Sequence, residues 1–71
     1  MKIIVEAFWD DETEVWVASS AENIGLATEA DTIEELREKI SIMIPELLSP
    51  TMEGPFEIEL IARSLYTVAA A

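Results

Sequence analysis

The chain contains no cysteine and no histidine. The first absence removes disulfides, thiolate metal sites and cysteine nucleophiles, and the second removes the commonest metal ligand and the commonest general base. Positive charge is scarce. Lys2, Arg37, Lys39 and Arg63 stand against fifteen acidic residues, for a formal charge of -11, which is the wrong sign for neutralising phosphates, so direct nucleic-acid binding is not expected. No apolar run approaches the ~18 residues of a membrane span. Glu6 interrupts the apolar start Ile3-Ile4-Val5, leaving no room for a signal-peptide core. The expected compartment is the cytoplasm.

What is present suits a single small domain over residues 1–71. Hydrophobic residues make up 51% of the 71 and the mean hydropathy is +0.26, too apolar for a disordered tail. A strongly negative field keeps a protein soluble and also draws in a basic partner. Both readings of the charge stand at this point.

Residues 2–9 are β-branched and aromatic, with Ile3, Val5, Ala7 and Trp9 on one face and Ile4, Glu6 and Phe8 on the other; this alternation predicts a strand. Asp10 to Thr13 form a polar turn cluster and residues 14–19 are strand-like again, so the pair reads as a hairpin with a four-residue loop. Gly25 to Ala30 reads as a third strand or an extended connection. Asp31 or Thr32 can cap a helix, and either choice places a glutamate three residues later to complete a capping box. Ile33, Leu36, Ile40, Met43, Ile44 and Leu47 then recur at helical spacing. Pro45 predicts a stop or kink near Ile44, with residues 45–48 as a final turn. A loop follows from Ser49 to Pro55, and Phe56 to Val68 resumes alternation as the last and longest strand.

The expected order is β-β-β-α-β, an α+β domain with a small mixed sheet and one helix on one of its faces. The last strand, reached by a helical crossover, should run parallel to a strand of the meander. One helix cannot cover both faces, so a homodimer or higher homo-oligomer is expected, built from the face opposite the helix or from an edge strand, with Ile4, Phe8, Trp16, Ile61 and Leu65 as the candidate contact residues.

Candidate chemistry is sparse. Asp10, Asp11, Glu12 and Glu14 lack the ligand spacing and the glycine of a calcium loop, and read as a solvated hairpin tip. Glu6 with Glu57 and Glu59 would meet if the first and last strands are neighbours, the raw material of a small carboxylate- or metal-dependent hydrolase or nuclease; solvent-facing charge is the plainer reading. Ser19 and Ser20 have no histidine to activate them. No catalytic residue, cofactor or metal is therefore expected. Trp9 and Trp16 suit cross-strand packing, or partner contact beside an acidic loop.

The combination Phe8-Trp9-Asp10, Val15-Trp16-Val17-Ala18, Gly25-Leu26, Thr28 to Thr32, Glu34-Glu35-Leu36 and Ile44 to Leu48 resembles the N-terminal domain of the HicB antitoxin family, and most of all its short stand-alone relatives of unassigned function. The resemblance implies a partial ribonuclease-H-like fold and a non-enzymatic role, neutralising a small basic HicA-type messenger-RNA-cleaving toxin by direct binding; a domesticated dimeric relative with another binding role is the alternative. Trp9, Asp10, Asp11, Glu12 and Trp16 are the partner-binding candidates. Ribonuclease H activity does not carry over, because its carboxylate set finds no match here. Ile24 stands where the family commonly has proline. Longer HicB proteins continue into an operator-binding module, so operator binding by this chain alone is not expected.

Overall fold

The computed structural model describes residues 2–22, 24–48 and 54–70. The order is β1 (Lys2–Asp10), β2 (Val15–Ser20), β3 (Ala27–Ala30), α1 (Ile33–Leu48) and β4 (Glu57–Arg63), the α+β arrangement expected. The strands form one mixed sheet in the order β3-β2-β1-β4. β1 is antiparallel to β2 and parallel to β4, while β2 is antiparallel to β3. Central β1 pairs on both edges and, at nine residues against seven for β4, is the longest strand in place of the last one.

Pleating turns Ile3, Val5 and Ala7 inward. With Ala18, Leu26, Ala30, Leu36, Ile40, Ile44 and Leu48 they make the buried core. Ile58 and Leu60 of β4, opposite Ile3 and Val5 in register, reach that core only half-buried. Gly25, at a φ of 84°, turns the chain between β2 and β3 in a conformation that favours glycine.

Four expectations are corrected. The helix runs through Pro45 to Leu48, although proline removes a helical donor at a cost of about 3 kcal/mol. Burying Ile44 and Leu48 on either side of it returns about 1.5–3 kcal/mol each, enough to carry the last turn. Leu48, not Leu47, closes the inward stripe; Leu47 is 39% exposed. β4 stops at Arg63, opposite Phe8, so Leu65 lies outside it and is 95% exposed. Trp16 sits directly opposite Trp9 and so faces the helix side, against the core, rather than the uncovered face. The rest of the expected loop from Ser49, residues 49–53, lies outside the described residues. No helix among the described residues is long and apolar enough to cross a membrane.

Candidate partner-binding site

β1 and β2 pair as far as Asp10 and Val15, and residues 11–14 close the hairpin. The Glu14 amide donates to the Asp10 carbonyl at 2.8 Å, and the Glu12 amide donates to Asp10 Oδ1 at 3.0 Å. Closing the loop puts Glu14 at a φ of 57°, the left-handed conformation common at the end of such hairpin loops. No glycine or asparagine stands there to signal it in the sequence. The tip holds its shape with its own backbone, and Asp11, Glu12 and Glu14 are exposed. Among the described residues no cation pairs with these tip carboxylates.

Beside the tip, the Trp9 and Trp16 rings lie 5.5 Å apart at 63°, an edge-to-face pair. Both are half-buried, so part of each ring meets water on the helix side of the sheet.

The register then joins two surfaces that are far apart in sequence. Ala30, the last residue of β3, lies opposite Trp16, so α1 begins at the tip end of the sheet. Thr32 is its cap: the Glu35 amide donates to Thr32 Oγ1 at 3.1 Å. Glu34 and Glu35 occupy the first turn. Tip and helix start thus gather Asp10, Asp11, Glu12, Glu14, Asp31, Glu34 and Glu35 at one end of the molecule, around the tryptophan pair. Lys39 reaches back toward this end, donating to the Glu29 carbonyl at 2.7 Å and lying 3.9 Å from Glu35. Glu38 lies one turn further along the helix.

The uncovered face carries the other expected residues. Ile4 and Ile61 are half-buried there, Phe8 is 50% exposed, and Val17, opposite Phe8, is 43% exposed. Diagonal ion pairs join β1 to β4 across it: Lys2 to Glu59 at 2.6 Å and Arg63 to Glu6 at 3.3 Å. Glu6 and Glu59 do lie on neighbouring strands, and each faces a cation. Among the described residues no three acidic side chains converge as a metal site. The hydrogen bond and charge of Glu59, with the charge of Glu57, hold the Lys2 ammonium above its ordinary 10.5 against a small desolvation.

Fold and surface define a small acidic sheet-and-helix domain in which no polar or charged residue is buried among those described. Residues 2–68 match the model of a domain of unknown function, DUF1902, and the chain belongs to that family. It is similar to a hypothetical protein from the extremely thermophilic bacterium Thermus thermophilus, known from its crystal structure. Identity to it is 44%, the match covers 96% of this chain and 100% of that one, and the TM-score is 0.79. No curated protein matches the chain.

Proposed function

We propose that this chain is a cytoplasmic, non-enzymatic interaction domain that neutralises a small basic toxin-like protein by binding over it, as its likeness to HicB antitoxins implies. The observation that carries the reading is the acidic end. Seven carboxylates and a half-exposed tryptophan pair lie at one end, where Lys39 meets only Glu35, while Lys2 and Arg63 are engaged with Glu59 and Glu6 on the uncovered face. Opposite fields speed encounter with a basic partner and weaken with salt, whereas an aromatic anchor buried on docking slows release. The self-closed tip presents its charges without an ordering cost on binding.

The test offers the immobilised chain to a HicA-type toxin and to any small basic protein encoded beside it, over a salt series. Neutralising Asp10, Asp11 and Glu12 together is expected to lower the association rate and flatten its salt dependence. Trp9→Ala is expected to raise the dissociation rate about 30-fold, corresponding to a hot spot of about 2 kcal/mol. Absence of binding to every such protein overturns the reading. Tight binding indifferent to all four changes overturns the hairpin tip as the contact and leaves the helix carboxylates Glu34, Glu35 and Glu38 as the binding face.

A further inference from the structure

β4 is an edge strand. Half of its backbone donors and acceptors therefore point away from β1, a template on which another strand can pair. Such edges are usually blunted by charged side chains, proline, a bulge or a cover; Glu57–Arg63 carries no proline, its charged Glu59 and Arg63 are already paired with Lys2 and Glu6 of β1, and no strand lies beyond it among the described residues.

The chain then continues without regular structure through residues 64–70, all exposed. Leu65, Tyr66 and Val68 are 95%, 75% and 78% exposed. The long axis is 54 Å against 19 and 18 Å. A nine-residue strand spans about 30 Å at 3.3 Å per residue; Arg63 lies opposite Phe8, so residues 64 and 65 only draw level with the end of β1, and the five after them, if extended, add about 16 Å. The 64–70 segment thus runs on past the end of β1 as an arm. Three large apolar side chains on such an arm find no contact within one copy that would favour their exposure.

We infer that two copies of this chain join edge to edge through β4, antiparallel, with Ile61 at the two-fold axis and each arm laid along the other copy's strand. Charge and arm together select this register, since an axis at Leu60 would also oppose unlike charges, Glu57 and the partner's Arg63. The Ile61 axis sets Glu59 opposite the partner's Arg63, and because Lys2 already holds Glu59 and Glu6 already holds Arg63, a row of alternating sign, Lys2, Glu59, the partner's Arg63, the partner's Glu6, crosses the outer face. An axis at Glu59 or Arg63 would instead oppose like charges, which is destabilising in a cross-strand pair. The arm agrees with the charges. The same register sets the partner's Tyr66 opposite Phe56, on the helix side. An axis at Leu60 would leave that ring opposite Gly54. One diagonal step from that position a slot of about 110 Å³ lies open between α1 and β4, lined by Arg37, Ile40, Ser41, Ile58 and Leu60. The result is a continuous eight-stranded sheet whose two β4 edges are closed. It does not depend on the toxin-neutralising role and is read without any other protein.

Sedimentation of the full chain at about 50 μM, where a micromolar interface is largely populated, is expected to give twice 7.9 kDa. Arg63→Glu and Tyr66→Asp, both at exposed positions, are each expected to raise the dimer constant about tenfold or more. The chain has no cysteine, so Ile61→Cys reports the axis. Residues directly opposite across an antiparallel pair stand about 4.5–5.5 Å apart, within disulfide reach, and mild oxidation is expected to link two copies. Glu57→Cys with Leu65→Cys keeps Ile61 in place and is expected to link them twice. A monomer at this concentration overturns the inference. So does a dimer that links through Val17→Cys on the outer face but not through either β4 variant.

Discussion

Leu36→Ala is expected to destabilise the fold by about 3 to 4 kcal/mol, and the structure sets that figure. Leu36 is fully buried in the early turns of α1, at the end of the sheet where α1 begins. The buried strand residues at that end are Ala7, Ala18 and Ala30, with Ala7 opposite Ala18 in register and the half-buried Trp16 and Ile33 packed against the core. Removing three carbons forfeits about 2 to 2.5 kcal/mol of transfer free energy at about 0.8 per methylene. The rest is the cavity. Alanines have no rotamers with which to lean into the space, so relaxation is small and the cost lies in the middle of the range of about 2 to 5 kcal/mol for buried leucines. At about 0.05–0.15 kcal/mol per residue the whole domain holds only about 4 to 11 kcal/mol. The substitution therefore removes a large share of it. A urea titration read by the fluorescence of Trp9 and Trp16 measures the loss, and with a slope near 1 kcal/mol per molar the midpoint falls by about 3 M. Protein concentration is held constant, since self-association adds to apparent stability. Leu47→Ala, at the half-exposed neighbour of the stripe, is expected to cost about 1 kcal/mol or less. Equal losses at the two positions, or a loss at Leu36 below about 1 kcal/mol, would refute the packing described for α1.

Thr32→Ala removes the acceptor of the Glu35 amide and is expected to cost about 1 kcal/mol in the same titration, whereas Asp31→Ala leaves that bond in place and costs less than half as much. A larger effect at Asp31 would put the cap one residue earlier. The Lys2–Glu59 pair sets a pH dependence whose sign follows from the raised ammonium pKa. Folding favours the charged lysine, so the stabilisation is complete below its ordinary 10.5 and is lost as pH rises through the higher folded value. The stability difference between the native chain and Lys2→Met is thus expected to stay flat from neutral pH to 10.5 and to shrink only above it; a difference that changes near neutrality would contradict the pairing.

The elements that the sequence by itself determined are those with a local cause. Alternation in Ile3 to Trp9 and the four polar residues between two β-rich runs are enough for β1 and the hairpin, because a strand's period of two needs no partner to be read. The Thr32 to Glu35 box and the three-and-four spacing of Leu36, Ile40 and Ile44 likewise place the start and inner face of α1. Membership in β-β-β-α-β architecture follows from that order, since a helical crossover returns the last strand parallel.

Other features waited on contacts between distant residues. Val15, Trp16, Val17 and Ala18 are apolar without interruption, so β2 could face either way until pairing with β1 put Trp16 opposite Trp9. Alternation in Phe56 to Val68 overstated β4, because pairing with β1 ends at Arg63, opposite Phe8, and an alternating pattern does not record where a partner strand is left. Pro45 is tolerated, and Leu48 is chosen over Leu47, by burial against the sheet that no helix propensity records. The acidic end exists only because β3 returns the chain to the hairpin tip before α1 begins. Carboxylates separated by some twenty positions become one surface through strand pairing, and repulsion among them is tolerable because each side chain there remains in water, where a high dielectric keeps like charges inexpensive.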